Sequence, residues 1–288
     1  MNKFISCIAH NSSEGNLLIG ETHAALFDCG MTFCAEQTIA KAKEALGARP
    51  LDYIFMSHTH YDHIGALPFF RKEWPQLRTV TTAVGAEVLL KDTPRRVIRE
   101  LSLVAAVQQG VTFDASYSDD DFRAEIIVKE GDTISLGGVT VEVIETPGHT
   151  RDSLAFFIPE LEILVLNETP GVLMPDGSMY PGYLVSCTDA LNSIEKCRKY
   201  RYKFLSLPHR SIVSDKDADG FFDRAYAATS ACRDFILDMK AKNLSDEEMI
   251  EAFTQQYYSE VLASFQPKEA FLANARAAIA CTLRDAQM

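Results

Sequence analysis

The chain has 288 residues, 47% of them hydrophobic, with mean hydropathy near zero; it can bury a substantial core, and disorder is not expected. Twenty-eight lysines and arginines against 40 aspartates and glutamates leave a formal charge of −12, which repels polyanions and counts against nucleic acid as a partner. No apolar stretch approaches the ~20 residues of a spanning helix, and Met1–His10 lacks the pattern of a secretory signal, so a cytoplasmic protein without membrane contact is expected.

From the N-terminus, Leu17 to Cys29 reads as strands closed by the turn Asp28-Cys29-Gly30. Ala35 to Leu46 reads as a helix, stopped by Gly47 and Pro50. Leu51 to Met56 is a short buried strand, Gly65-Ala66-Leu67-Pro68 opens a helix, and Thr79 to Ala83 is another strand. Gly85 to Gln109 is helical in pattern with a break near Thr93-Pro94. Glu125 to Leu166 reads as a run of antiparallel strands, with a hairpin turn at Gly137-Gly138 and a loop carrying His149. A helix over Asp189 to Tyr200 leads into a strand, Phe204 to Leu207, that presents His209. From Asp215 onward only helical spacing remains: Phe221, Ala225, Ala228, Cys232, Phe235, Ile236 and Met239, then a capping box at Ser245-x-x-Glu248, then Phe271, Leu272, Ala275, Ile279 and Leu283. The division is a domain over 1–213 and a helical extension over 214–288. The seven cysteines are odd in number and contain no Cys-x-x-Cys pair; neither a disulfide framework nor a cysteine-type zinc knuckle is expected.

The strand at Leu51–Met56 delivers Ser57-His58-Thr59-His60-Tyr61-Asp62-His63 into a loop. With His149 and His209, this run holds five of the seven histidines. Imidazole and carboxylate carry large desolvation penalties unless paired or metal-bound, so such a run cannot simply face a core. Neutral imidazoles with one carboxylate are the donor set of a zinc- or iron-class ion.

His58-Thr59-His60-Tyr61-Asp62-His63, then Thr146-Pro147-Gly148-His149-Thr150, then Pro208-His209, resembles the metallo-β-lactamase superfamily over roughly residues 14 to 212. Glu130-Gly131-Asp132-Thr133 with Leu136-Gly137-Gly138 is similar to the approach to that family's second motif. The resemblance implies an α/β fold, an αββα sandwich with metals at one edge of two sheets, here carrying a helical C-terminal extension. It implies that His58, His60 and His149 bind one metal, and Asp62, His63 and His209 a second. The ions implied are two divalent transition metals, zinc first, with iron or manganese also fitting. The activity implied is cleavage of a thioester, ester or lactone of a small-molecule substrate by a metal-bound hydroxide, with Asp62 as catalytic proton acceptor.

One departure stands out. Where the family has a glycine and a metal-bridging aspartate after the second motif's strand, this chain has Asn167-Glu168. Glu168 is at the matching position, one methylene longer, and is expected as a metal ligand that either bridges both ions or binds one, the alternative being an exposed strand-end residue. The layout of the extension resembles glyoxalase-II-like and quinolone-signal thioesterase-like members, and the tail aromatics Phe221, Phe222, Phe253, Tyr257, Tyr258, Phe265 and Phe271 either wall a tunnel or form the core of a helical bundle, the latter being favoured for most. The helices after Asp215 are expected to cover the site. Asp28 either supports the site from behind its ligands or forms a turn, the turn being favoured; Thr150 and Ser153 either hold the His149 loop or cap the next element, capping being favoured; His10 and His23 are read as structural. Tyr61 either lines the pocket or packs on the sheet, and Tyr180 and Tyr183 either reach a substrate or pack their loop. Di-iron redox chemistry as in flavodiiron proteins is weighed lower because no flavodoxin-like segment follows, and a β-lactamase role because no export signal is seen. The alternative from another class is a metal-binding regulatory protein with little or no turnover. A homodimer is left open.

Overall fold

In the computed structural model, which describes residues 2–9, 15–214, 218–263 and 266–287, the strands gather into two main layers. The first sheet sets β1 (Lys3–Ser6), β2 (Asn16–Ile19), β3 (Ala24–Phe27), β4 (Tyr53–Phe55), β5 (Arg78–Thr81) and β6 (Ile126–Ile127) side by side in chain order. The first three are antiparallel, and β3 through β6 run parallel. Parallel neighbours need crossovers, supplied by α1 (Ala35–Leu46), then α2 (Tyr61–Ile64) with α3 (Leu67–Glu73), then α4 (Ala83–Leu89) with α5 (Asp92–Gln108).

The second sheet starts with β7 (Thr133–Ser135), β8 (Thr140–Glu145), β9 (Leu154–Ile158) and β10 (Ile163–Val165). A two-stranded ribbon, β11 (Val172–Leu173) and β12 (Met179–Tyr180), and α6 (Cys187–Cys197) follow, before β13 (Phe204–Leu207) pairs in parallel with β10 and β14 (Ser211–Ser214) closes the edge. Four helices complete the chain: α7 (Phe221–Ala241), α8 (Asp246–Tyr257), α9 (Glu260–Ala263) and α10 (Lys268–Asp285). The expected capping box at the start of α8 is present, with Ser245 and Glu248 each accepting the other's backbone N–H.

Alternation along the strands explains the layering. Leu18, Phe27 and Phe55 of the first sheet face Val143, Phe156 and Val165 of the second. Their neighbours Leu26 and Ile54 point the other way, onto Ala42 and Leu46 of α1 and Phe70 of α3. Ile144, Leu164 and Leu205 likewise face outward from the second sheet onto Ile194 of α6 and Phe221 and Phe222 of α7. This is the αββα sandwich with a helical C-terminal segment.

Two local expectations need correction, and a third, the core placement favoured for the tail aromatics, holds. Ile126–Ile127 does not join the antiparallel run: it lies parallel to β5, where the Glu125 carboxylate accepts from Thr79 N (2.9 Å) and Arg71 Nη2 (3.0 Å) and pins the segment to the first sheet. The helix break falls at Leu90–Lys91, ahead of Pro94. Pro94 lies in the first turn of α5, where its missing N–H would have no intrahelical partner anyway. The tail aromatics are core: Phe253 and Phe271 are buried with Ile236 and Met249, and Phe221 and Phe222 pack under the second sheet. Phe265, His10 and Asp215 lie outside the described residues.

The tail helices share their apolar cluster with Met174, Tyr183, Cys187 and Ala190 from the sandwich side. All seven cysteines are buried and free. Among the described residues no helix is long and apolar enough to cross a membrane.

Candidate metal centre

The site is assembled at the ends of β3, β4, β10 and β13, where loops leave the two sheets along one edge. β4 is buried on both faces, so the chain beyond it emerges from the core with polar residues that must find partners at once. Asp28, at the end of β3, supplies them. Its carboxylate accepts from Ser57 N (2.7 Å), Ser57 Oγ (2.6 Å) and His63 Nδ1 (2.9 Å). Asp28 does sit in a left-handed turn conformation (φ 55°), as read from the sequence, but it is also the residue that orients His63.

Those bonds fix tautomers. His63 gives its Nδ1 proton to Asp28, which turns Nε2 towards the site. The Ser57 hydroxyl donates to Asp28 and so accepts from His58 Nδ1 at 3.0 Å, leaving His58 Nε2 open. His149 Nδ1 donates to the Gly182 carbonyl, leaving its Nε2 3.1 Å from His60 Nδ1. His60 stands at the N-cap of the single turn α2 without capping it, and Asp62 and His63 occupy that turn.

Two triads of donor atoms result, each within 4.8 Å of one another: His58, His60 and His149, and Asp62, His63 and His209. A third triad of the same tightness joins them through His58, His63 and Glu168. Glu168, 4% exposed, places Oε1 2.6 Å from His63 Nε2 and 3.0 Å from His209 Nε2, and Oε2 3.6 Å from His58 Nδ1 and 4.0 Å from His149 Nε2. One oxygen thus faces each set of imidazoles. The buried Nε2 of His58 and Glu168 Oε2 have no hydrogen-bond partner, and Glu168 Oε1 has only the rings of His63 and His209. Bare lone pairs and a carboxylate converging in a dry site are what a divalent cation satisfies, so the residues fit the ions.

The electrostatics divide the rings: three favour the neutral form, whereas His63 favours the charged one. Burial drives His58 well below the usual histidine value and His149 down to about 4, despite the Glu168 charge beside both. Burial also lowers His60. These are neutral rings, the form that ligates. Burial opposes the charged form of His63 too, but Glu168, Asp62 and Asp28 outweigh it and hold that ring well above 6.5. Burial likewise opposes ionisation of Glu168, yet His63 and His58 keep its carboxyl well below the usual range.

Comparison with known proteins settles the family. The sequence pattern described as the metallo-beta-lactamase superfamily matches residues 16–209. The chain belongs to the metallo-β-lactamase superfamily. A probable metallo-hydrolase of Burkholderia pseudomallei is 24% identical over 236 residues, covering 72% of this chain and 74% of that protein. A nitric oxide reductase of Moorella thermoacetica is 27% identical over 200 residues, covering 69% of this chain but 43% of the reductase. In fold, an archaeal superfamily protein from Sulfolobus tokodaii matches with a TM-score of 0.62 at 17% identity, covering 99% of this chain and 98% of that one.

Within this superfamily frame, the Asn-Glu pair after β10 has a physical account. Asn167, 1% exposed, donates to Thr146 Oγ1 (2.7 Å) and Leu154 O (2.9 Å), and its Oδ1 accepts from Thr169 N (2.7 Å). Thr169 Oγ1 donates to Thr146 O (2.7 Å) and accepts from His149 N (3.2 Å). The backbone at Glu168 is thereby tied to the loop carrying His149. Thr150 and Ser153 bond to each other in that loop (2.7 Å), holding it rather than capping a helix.

A cavity of about 320 Å³ opens on this centre, lined at its inner end by His60, Asp62, His149, Glu168 and His209. Tyr61 both lines it and packs against the core. Tyr180 lines it, whereas Tyr183 is buried with its hydroxyl 3.0 Å from Thr282 Oγ1. Leu262, Gln266, Pro267, Ala270, Ala273 and Asn274 form part of its wall, so the tail does lie over the site.

Gly182 crosses so closely that a Cβ there would stand 1.9 Å from the Glu168 carbonyl oxygen. Gly182→Ala is therefore expected to displace this loop, at the ~1–3 kcal/mol typical of overpacking, and lower the melting temperature by several degrees. Because Gly182 also accepts from His149, metal content should fall with it. Thermal unfolding and elemental analysis of the variant check both; a fully stable, fully metallated variant would show that the loop is compliant.

Proposed function

We propose that the chain is a metal-dependent hydrolase that cleaves a thioester, ester or lactone at a pair of divalent transition ions, zinc first among them. The observation that carries this reading is Glu168, a buried carboxylate with one oxygen towards each imidazole set. His58, His60 and His149 would hold one ion and Asp62, His63 and His209 the other, with Glu168 between them. Bound there, the ions would bring the pKa of a water towards neutrality and polarise a carbonyl. Asp62, at the cavity wall and only partly buried, can accept the proton released. Asp28 and the Gly182 carbonyl hold the His63 and His149 rings in ligating orientation throughout.

Protein stripped with chelator and reconstituted with zinc is expected to take up about two equivalents and to unfold at a higher temperature, since a ligand that binds only the folded state stabilises it. The reconstituted protein should hydrolyse members of a panel of thioesters, esters and lactones. Metal uptake with no turnover on that panel would favour the regulatory reading, and reduction of nitric oxide by iron-loaded protein without hydrolysis would favour a redox one. Failure to bind metal at all would sink both.

A further inference from the structure

Away from the donor cluster, the cavity is walled by aliphatic groups: Met31 and Leu101 from the first-sheet side, Val172, Leu173 and Leu184 from the segment after Glu168, and Leu262 from the tail. Arg210 is the one cationic side chain among its described lining residues, and its Nη1 donates to the Met174 carbonyl at 3.3 Å. The ionisable groups besides are the histidines and the carboxylates of Asp62 and Glu168. An anionic group held away from the donor cluster would meet mostly aliphatic walls, with Arg210 as the one described cationic side chain to replace the water it gave up. An alkyl chain would lose nothing on entry and would gain the burial of its surface.

The tail helix supplies part of the wall. Pro267, Ala270, Ala273 and Asn274 all line the cavity, at intervals of three and four residues that put them on one face at the start of α10. Two of these four are alanines, and the space their small side chains leave is part of the 320 Å³. At the ~30 Å³ that a water-sized group occupies in a liquid, the whole volume corresponds to roughly ten such groups.

We infer that the acyl part of the substrate is an uncharged aliphatic chain, lying between the Val172–Leu173 strand and α10, with its length limited at Ala270 and Ala273. This rests on the hydrolase reading for the reaction, but the cavity's preference for alkyl groups does not. Burying one methylene is worth about fourfold in affinity, so discrimination by chain length should be steep until the space is filled.

The test uses the full-length, zinc-loaded protein and a series of p-nitrophenyl esters from acetate to dodecanoate, with the hemisuccinate as an anionic match for the short members. kcat/KM is expected to rise about fourfold for each added methylene over the first several and then level off, and the hemisuccinate should be at least tenfold poorer than the butyrate. Ala270→Phe should move the plateau to shorter chains; Ala273→Phe, at an exposed position of the same face, repeats the test should the first variant fail to fold. In parallel, calorimetric titration with straight-chain alkanols reads binding without turnover: affinity should climb with chain length and fall in the Ala270→Phe protein. Ester hydrolysis that is flat across the series, or that favours the hemisuccinate, overturns the inference while leaving the hydrolase reading intact. Alkanol binding that climbs with chain length without any ester hydrolysis supports the aliphatic site and overturns the hydrolase reading. Alkanol affinity independent of chain length overturns the inference whatever the esters do.

Discussion

Glu168→Gln is expected to keep the protein folded while emptying one of its two metal positions and lowering hydrolysis at least a hundredfold. The side chain keeps its volume, so the packing around a residue 4% exposed is preserved. What changes is charge. In the native chain Oε1 faces His63 and His209 and Oε2 faces His58 and His149. An amide can offer one carbonyl oxygen to one set, but its NH₂ can only donate, and it would turn that donor onto an imidazole lone pair. The metal-free variant also loses the charge that holds His63 well above 6.5, so its thermal stability without metal should not exceed that of the native chain. The metal-induced rise in melting temperature should shrink correspondingly. Disturbing a ligand's orienting partner already costs about 10–100-fold in metal affinity, and removing a charged ligand should cost more. Elemental analysis, melting curves with and without zinc, and rates on the best ester are the measurements. Two full equivalents and native rates in the variant would show that Glu168 merely fills space.

Asp62→Asn should have the larger kinetic effect, a fall in kcat of about 10²–10⁴-fold, the usual contribution of a positioned general base. Its Oδ2 lies 3.8 Å from His63 Nε2 and 3.9 Å from His209 Nε2, so the variant also weakens the ion that those rings would hold. The His58, His60 and His149 triad does not include Asp62, and one equivalent of metal should survive. Loss of kcat beyond the loss of metal, seen when the assay is repeated at saturating zinc, separates proton transfer from ligation. Recovery of native kcat at saturating zinc would assign Asp62 to metal holding alone.

The histidine run, the two later histidines and Glu168 were legible in the sequence because each stands at the end of a strand whose apolar pattern is plain, and because their order along the chain is informative. The residues that hold them were not. Asp28 meets Ser57 and His63 from 29 and 35 residues away, and nothing in Asp28-Cys29-Gly30 distinguishes a carboxylate that orients a ring from one that shapes a turn. Asn167 was visible only as a departure from the family's glycine; its bonds to Thr146 and Leu154 arise from the pairing of β9 with β10, which periodicity does not specify. Ile126–Ile127 alternates like a strand in either sheet, and the choice was made by Glu125 reaching Thr79 and Arg71. The loop around Tyr180 and Tyr183 was legible, but only the close approach of Gly182 to the Glu168 carbonyl reveals that it roofs the centre.

His209 occupies the tight connection between β13 and β14, where Pro208 precedes it and the Arg210 N–H donates back to the Leu207 carbonyl. Its φ of 59° lies where a turn of this form ordinarily places glycine or asparagine. Asp28, on the other sheet, carries the same kind of backbone. At both places the conformation costs a side-chain-bearing residue about 1–2 kcal/mol that glycine would not incur. Each sheet therefore meets the donor cluster through one left-handed, side-chain-bearing residue. Selection for folding alone and selection for chemistry pull in opposite directions at these two positions, and a lineage that had lost its reaction would be free to relax them towards glycine while the sandwich itself persisted.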